Sequence, residues 1–306
     1  MTKLAEILDQ YNRRRVFFEP VGGNHGDTLI ELGSRYFLTK FQLEYVDRPE
    51  QAQLLIVNGS GSFGVELWSP GLVGLKQLSA KFPALPMIVL PSSYQFLQTD
   101  FASAFLGRTA PTYLFARETA SYDRIARLDY PAPVHTLLHP DMAFELRDSP
   151  FLEVLQKSAQ SKHILLIERF DREATTQTSY ELNVSGSVKR AIPAPVKRFL
   201  KKGLHRIRRQ KSGFTTGAVS RLYSEHPEFR GFPVITEDVS SNVGFTFEQF
   251  LQLIAEAAVV ISNRLHAAIL AAMLGKTTIV LSGHPYGKLE SCYEFSMKDF
   301  PNVSLW

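Results

Sequence analysis

Apolar and polar positions along this chain follow the pattern of short strands that alternate with helices. Leu54–Val57, Met87–Leu90 and His163–Ile167 are apolar or β-branched runs of strand length, bounded by turn residues. Segments with helical spacing lie between such runs. An alternation of this kind predicts an α/β fold built on parallel sheets.

The pattern divides the chain into two α/β halves of similar size. We predict two doubly wound, Rossmann-like domains that face each other across a cleft, with residues 1–148 in the first and residues 149–306 in the second. The alternation breaks down over residues 174–217, where polar residues, prolines and basic residues dominate. We therefore place an insertion at about 186–213 in the second domain.

Residues 259–288 form the most informative stretch, with the pattern strand, turn, helix, strand and loop. Arg264 and His266 follow the first strand at the predicted helix start, and His284 and Lys288 follow the second. Because parallel strands carry their ligand crevice at their carboxyl ends, these four side chains should share one edge of the sheet. Cations at a helix start predict a site for an anion.

A glycine-rich turn follows the first strand, in the motif EPVGGNHGDTLIELG. We predict a strand, a tight turn and a helix that opens at Asp27–Thr28, so that backbone N–H groups face a ligand. A second glycine-rich turn, NGSGSFG, formally satisfies the dinucleotide fingerprint. We interpret it as an interdomain turn, because Pro70 interrupts a following helix and no suitably spaced acid follows to hold a ribose.

Composition narrows the class of protein. The 306 residues are 44% hydrophobic and 21% charged, as in soluble globular proteins, and no apolar run reaches the roughly 20 residues that span a bilayer. The single cysteine, Cys292, excludes an internal disulfide. We predict a cytoplasmic location.

The net charge of +4 is unevenly distributed, because no Asp or Glu occurs between Leu182 and Ser224. Within this region, residues 189–211 place apolar side chains on one helical face and lysines and arginines on the others. A basic amphipathic helix of this kind predicts binding to the inner membrane surface, and a solvated surface helix is the alternative. Nucleic acid is not the predicted partner, since no nucleic-acid fold or generally basic surface accompanies the segment.

Carboxylates also stand at predicted strand ends. They are Asp27, Asp141, Asp171 and Glu173, and each could instead serve as a helix cap or turn former. The sequence contains no Asp-x-Asp pair, no Cys/His cluster and no His-Glu-x-x-His motif. We therefore predict no metal and no cofactor.

Taken together, the motifs GGNHGDTLI, NGSGSFG, FARETAS, HPDMAF, ERFDRE and SNRLHAAILAAMLGK followed by HPYGK resemble those of the polysaccharide pyruvyl transferases. The resemblance covers most of the chain except about residues 174–224, and the S-x-R-L-H helix start is its most specific part. It implies a glycosyltransferase-B-like fold. It also implies transfer of a pyruvyl group from phosphoenolpyruvate to two hydroxyls of a sugar, forming a cyclic ketal in the synthesis of exopolysaccharide or cell-surface polysaccharide.

The resemblance also implies roles for particular residues. Arg264 and His266 would contact phosphoenolpyruvate, and Arg169 would be a second anion ligand with Asp171 and Glu173 beside it. Lys288 is a further candidate ligand, whereas His284 would either touch the ligand or shape the loop that carries Lys288. The second glycine-rich turn departs from the consecutive glycines more usual in the family, so its contacts stay open.

The chemistry of the reaction adds expected catalytic roles. His266 is the predicted proton donor, because imidazole titrates near neutral pH, and Asp27 or Asp171 is the predicted base for the attacking hydroxyl. Asn24, His25 and Asp27 are predicted to face the acceptor, a lipid-linked saccharide. Two alternatives stay open: a glycosyltransferase of the same fold that uses a nucleotide sugar, and a catalytically silent sugar-binding or scaffolding protein.

Overall fold

The computed structural model contains two parallel β-sheets, one in each half of the chain. The structure describes residues 2–61, 63, 70–96, 100–168, 214–241, 244–283 and 287–306. The predicted basic segment and four predicted site residues lie outside the described residues; these four are Arg169, Asp171, Glu173 and His284.

The N-terminal sheet has six parallel strands in the order β2-β1-β3-β4-β5-β6. The strands are β1 (Arg15–Glu19), β2 (Glu44–Tyr45), β3 (Leu54–Val57), β4 (Met87–Ser92), β5 (Thr112–Ala116) and β6 (Val134–Leu138). The helices of this half are α1 (Lys3–Asp9), α2 (His25–Leu38), α3 (Pro70–Lys81) and α4 (Thr119–Ala126).

The C-terminal sheet has five parallel strands in the order β11-β10-β9-β7-β8. The strands are β7 (His163–Ile167), β8 (Val234–Thr236), β9 (Ala257–Ser262), β10 (Thr277–Val280) and β11 (Val303–Leu305). The helices are α5 (Pro150–Lys157), α6 (Phe214–Glu225), α7 (Phe247–Ala255), α8 (Leu265–Met273) and α9 (Lys288–Cys292).

Both sheets share one strand order. When the strands of each sheet are numbered along the chain from the first strand of that sheet, both orders contain 2-1-3-4-5. The order in which strands are added to the sheet therefore reverses between the first and third strands of each sheet. In open parallel sheets, ligands bind at the carboxyl ends of the strands beside this reversal. In the N-terminal sheet, the two glycine-rich turns follow these strands, β1 and β3; in the C-terminal sheet, the stretch that contains Arg264 and His266 follows β9.

The central strands are apolar because both faces of each sheet are covered. Every residue of β3, β7 and β9 is buried, which matches their runs of Leu, Ile and Val. One apolar cluster also joins the two halves, since Leu29 of α2 belongs to the same core as Leu265 and Ile269 of α8. Ser291 of α9 adds a polar link, because its Oγ accepts a hydrogen bond from the Ala120 N–H at the start of α4.

The predicted start of α2 is wrong by three residues. Asn24, and not Asp27–Thr28, is the N-cap, and the helix begins at His25. The Asn24 side chain accepts a hydrogen bond from the Gly26 N–H at 2.7 Å, and Asp27 accepts one from the Asn24 N–H at 2.8 Å. This reciprocal capping box makes Asp27 the third residue of the helix.

The predicted fold class is confirmed: the chain is an α/β protein with two parallel sheets. The two sheets lie on either side of the predicted boundary at residue 148, but the exact boundary stays a prediction. Among the helices of the described ranges, none combines the length and apolar character needed to cross a membrane.

Candidate active site

Three side chains from both halves of the chain meet at one point. Arg117 follows β5, Asp141 follows β6, and His266 lies in the first turn of α8. Arg117 Nη1 donates to Asp141 Oδ2 at 2.7 Å, and His266 Nε2 lies 3.2 Å from the same carboxylate oxygen. Arg117 Nη1 also lies 3.2 Å from His266 Nε2. The carboxyl ends of the two sheets therefore share a charged junction.

Arg117 and Asp141 are buried at this junction, and each favours the charged form of the other. Arg117 and Asp141 are both almost completely buried. Burial alone would lower the pKa of Arg117, but the carboxylates of Asp141 and Glu118 outweigh it and raise the pKa above its usual value. Burial would likewise raise the pKa of Asp141, yet His266 and Arg117 hold that pKa well below its usual value. Asp141 is thus held as a carboxylate.

Polar contacts fix the Arg117 guanidinium further. Its Nε donates to Ser93 Oγ at 2.8 Å, and Ser93 Oγ donates in turn to Glu118 Oε2 at 3.0 Å. Cys292 of α9 donates to the same oxygen of Glu118 at 3.6 Å, and burial raises the pKa of its thiol. Buried polar side chains on both sides of the junction therefore hold Arg117 in one orientation.

One nitrogen of Arg117 points toward the second glycine-rich turn. The buried Nη2 atom has no hydrogen-bond partner in the part of the chain that the structure describes. A Cβ atom on Gly61 would lie 3.2 Å from this nitrogen and 3.0 Å from the Nζ of Lys288. Lys288, the first residue of α9, is itself buried. Two cationic nitrogens thus converge on the backbone of the turn.

The His266 ring packs against the start of α2. A Cβ atom on Gly26 would overlap the ring at Nδ1 and lie 2.9 Å from its Cγ, so only glycine fits this close approach. The turn that follows β1 therefore faces the same junction as the turn that follows β3.

Arg264 is held by a carboxylate that the sequence analysis did not single out. Its Nε donates to Asp238 Oδ1 at 2.9 Å, and its Nη2 donates to Asp238 Oδ2 in a bidentate pair. Both side chains are buried. The Arg264 N–H also donates to Ser262 Oγ at 2.9 Å. These bonds fix the plane of the guanidinium at the carboxyl end of β9.

The three residues predicted to face the acceptor have defined contacts within the protein. His25 is buried, its Nε2 lies 2.8 Å from the carbonyl oxygen of Phe245, and its ring packs against Phe247 and Phe250. Asn24 and Asp27 form the capping box of α2 and are half-buried. The structure thus links His25 to the C-terminal half, and contact of these residues with an acceptor stays a prediction.

Sequence reasoning missed Arg117, Gly61 and Asp238 as site residues. Arg117 directly follows β5 within the motif FARETAS, so the strand-end rule that selected Arg264 could have selected it too. Gly61 lies in a turn that was interpreted as an interdomain turn and a family motif, without a role for any single glycine. Asp238 follows β8 by two residues, so the same rule could have selected it, although its pairing with the distant Arg264 has no sequence signal. Over the described ranges, no group of three or more His, Cys, Asp or Glu residues could hold a metal ion.

Two parallel sheets whose carboxyl ends meet at buried, charged side chains define the class: the chain is an α/β protein built on two parallel sheets. Within this class, the sequence profile of the polysaccharide pyruvyl transferases matches residues 22–285. The chain belongs to the polysaccharide pyruvyl transferase family, as its motifs predicted. Membership implies an enzyme with phosphoenolpyruvate as donor and a polysaccharide as acceptor.

Solved structures give a more distant likeness. An uncharacterized protein of Klebsiella pneumoniae subsp. pneumoniae NTUH-K2044, KP1_0663, is 19% identical over 100% of this chain and 99% of that chain, with a TM-score of 0.62. This likeness shows a shared fold. The UDP-GlcNAc 2-epimerase of Methanocaldococcus jannaschii, in complex with UDP-GlcNAc and UDP, is 11% identical over 93% of this chain and 71% of that chain. Its TM-score of 0.37 is too low to carry an argument. No curated protein matches the chain in sequence.

Proposed function

We propose that the protein transfers the pyruvyl group of phosphoenolpyruvate to two hydroxyls of one sugar and forms a cyclic ketal. The observation that carries this proposal is the junction at which Arg117 and His266 meet over Asp141, with Lys288 beside it. Phosphoenolpyruvate has a carboxylate and a phosphate, so its site requires several cationic groups at one place.

The proposed reaction is balanced without any further reactant. The bond between C2 and the bridging oxygen of phosphoenolpyruvate breaks, and the two sugar oxygens form bonds to C2. One hydroxyl proton ends on the methylene carbon, which becomes a methyl group, and the other leaves with inorganic phosphate. The enzyme therefore needs a proton donor near C3, anion ligands and a group that accepts a hydroxyl proton.

His266 is the proposed proton donor, and Asp141 supports it. An Nε2–H would donate to Asp141 Oδ2, which lies 3.2 Å away and is held as a carboxylate. A carboxylate that accepts from one ring nitrogen fixes the tautomer and the orientation of the imidazole.

Cations from both halves would hold the donor. Arg117 and Lys288 approach the junction from one side, and Arg264 stands at the carboxyl end of β9, oriented by Asp238. Arg169 and His284 are further candidate donor ligands on motif grounds, and Glu173, close to Arg169 in sequence, is a further candidate substrate-binding residue. For the hydroxyl proton, Asp27 and Asp171 are the proposed acceptors. In Asp27, Oδ2 already accepts the Asn24 N–H, which leaves Oδ1 as the oxygen for this role.

We further propose that the acceptor is a lipid-linked saccharide used in exopolysaccharide or cell-surface polysaccharide synthesis. The sequence pattern of residues 189–211 predicts basic residues around an apolar helical face, which would suit an anionic membrane surface. Binding at the cytoplasmic face of the inner membrane would bring the enzyme to such an acceptor.

Calorimetry with phosphoenolpyruvate and with a nucleotide sugar tests this assignment against the glycosyltransferase alternative. We expect phosphoenolpyruvate to bind and His266→Ala to reduce acceptor-dependent phosphate release by roughly 10²-fold to 10⁴-fold, the usual contribution of a general acid. Lys157→Ala, at an exposed position on α5, is the control and should leave the rate unchanged. The proposal would be contradicted if only the nucleotide sugar bound, or if His266→Ala left the rate of phosphate release unchanged.

A further inference from the structure

The second glycine-rich turn and the two cationic nitrogens above it form a distinct subsite. We infer that Gly61, Arg117 Nη2 and Lys288 Nζ bind the phosphate group of the donor and, after transfer, the inorganic phosphate product. This inference rests on the proposed function for the identity of the donor. The inference assigns the phosphate group of the donor to one position, and it predicts that phosphate binding depends on Gly61.

Gly61 lies close to two cationic nitrogens, Lys288 Nζ and Arg117 Nη2. A Cβ atom at this position would lie 3.0 Å from Lys288 Nζ and 3.2 Å from Arg117 Nη2, so both nitrogens point at the space above the Gly61 backbone. The two nitrogens therefore lie close enough to each other to donate to one phosphate group. Glycine lets both nitrogens approach the turn this closely, whereas a side chain at this position would push them away.

Arg117 gives the independent observation that a ligand belongs there. Its side chain is fully buried, and its Nε and Nη1 atoms donate to Ser93 and Asp141. Among the described residues, nothing accepts a hydrogen bond from Nη2. A buried donor without an acceptor is costly, so an acceptor from a ligand is expected at this atom.

The two cationic regions differ in the anion that they suit. Lys288 supplies a compact point charge, which matches a tetrahedral phosphate. Unlike a guanidinium, its ammonium group has no fixed plane in which its donors must lie. Arg264 is instead held in one plane by Asp238, and a planar guanidinium suits a planar carboxylate. Phosphate beside Gly61 and carboxylate beside Arg264 would place the central carbon of the donor between the two sheets, near His266.

Titration calorimetry of the full-length protein with inorganic phosphate tests the subsite without donor or acceptor. We expect Gly61→Ala to weaken phosphate binding by about ten-fold or more, because the added methyl group would displace Lys288 Nζ and Arg117 Nη2. Gly74→Ala is the matched control, since a Cβ atom there meets nothing within 4 Å. Lys288→Met should also weaken phosphate binding, and it provides a second test if Gly61→Ala does not fold.

Steady-state kinetics provide the second measurement. Inorganic phosphate should compete with phosphoenolpyruvate, and Gly61→Ala should raise the KM for phosphoenolpyruvate by a similar factor while leaving the KM for the acceptor unchanged. Unaltered phosphate binding in a folded Gly61→Ala protein, or non-competitive inhibition, would overturn the subsite even if pyruvyl transfer occurs. Phosphate binding that depends on Gly61, without any turnover of phosphoenolpyruvate, would retain the subsite and overturn the proposed function.

Discussion

At the scale of single residues, the junction depends on the shared carboxylate oxygen of Asp141. This oxygen contacts both Arg117 and His266, and the second oxygen of Asp141 accepts the Ala143 N–H at 2.8 Å. A buried carboxylate with three such contacts has a fixed position and a fixed charge. Asp141 therefore holds the cationic side chain of one sheet against the histidine of the other.

Asp141→Asn should destabilise the protein at neutral pH by about 3 kcal/mol, because it leaves Arg117 buried without its nearest carboxylate. The lowered pKa of Asp141 means that its contribution is complete above the unfolded-state pKa of about 3.9 and is lost as pH falls toward the lower folded-state pKa. The measurement is urea unfolding of both proteins from pH 7 to pH 3.

The difference between wild type and Asp141→Asn should shrink by roughly 1 kcal/mol at pH 3. Asp129→Asn, at an exposed position, is the control and should track wild type throughout. A gap that stays constant over the whole range would mean that the charge of Asp141 does not stabilise the fold.

Sequence reasoning at this scale found residues that follow strand ends, but it could not find their partners. Arg264 and His266 were identified because strand ends are visible in the apolar pattern. Asp238 and the Arg117 contact with His266 arise from packing between segments that are distant in sequence, and no local pattern records such a contact. Arg117 was part of the family motif FARETAS, but the sequence alone assigned it no role.

At the scale of elements, the start of α2 determines where the His266 ring can lie. The sequence predicted the helix but not its first residue, because Asp, Thr and Asn are all good N-caps. The three-dimensional context selects Asn24, whose side chain and backbone complete the capping box. The correct start brings Gly26 into the first turn of α2, directly against His266.

Gly26→Ala should keep the fold but reduce the kcat of pyruvyl transfer by about 10²-fold, because the methyl group would displace the His266 ring. Stopped-flow or steady-state phosphate release measures the rate, and thermal unfolding measures the stability. The stability loss should stay within about 1–3 kcal/mol, as is usual for overpacking.

Gly217→Ala is the matched control for this variant, since it too is a helical glycine and its added Cβ meets nothing within 4 Å. It should have the wild-type kcat. A Gly26→Ala protein with the wild-type kcat would show that contact between α2 and the His266 ring has no part in catalysis.

At the scale of the whole molecule, two sheets have the same strand order, and their carboxyl ends meet at the junction of Arg117, Asp141 and His266. The alternation of strands and helices was enough to predict this architecture, because buried parallel strands have a distinctive apolar pattern. The repeated order 2-1-3-4-5 was not predicted, since strand order depends on the crossovers and not on the strands themselves. That order places the two glycine-rich turns at the reversal of the N-terminal sheet, and the Arg264 and His266 stretch at the reversal of the C-terminal sheet.

The basic segment should bring the whole protein to anionic membranes. Vesicles rich in phosphatidylglycerol should bind it in co-sedimentation, and vesicles of phosphatidylcholine should not. Replacing four basic residues by Gln should weaken binding by about 4 kcal/mol at low salt; these are Lys197, Arg198, Lys201 and Lys202.

A matched variant replaces four exposed lysines elsewhere, Lys3, Lys81, Lys157 and Lys298, and should bind nearly as wild type. Equal loss in both variants would indicate a general effect of net charge, and equal binding to both kinds of vesicle would exclude an electrostatic anchor.

The central claim is the transfer of a pyruvyl group, and isotope-labelled donor tests it most directly. The protein is incubated with phosphoenolpyruvate labelled with ¹³C at C2 and with lipid-linked saccharides from the source cell, and the products are followed by ¹³C and ³¹P NMR. We predict that the label appears in a saccharide-bound ketal carbon, with one inorganic phosphate released for each ketal formed. Unchanged phosphoenolpyruvate, together with consumption of an added nucleotide sugar, would contradict the claim.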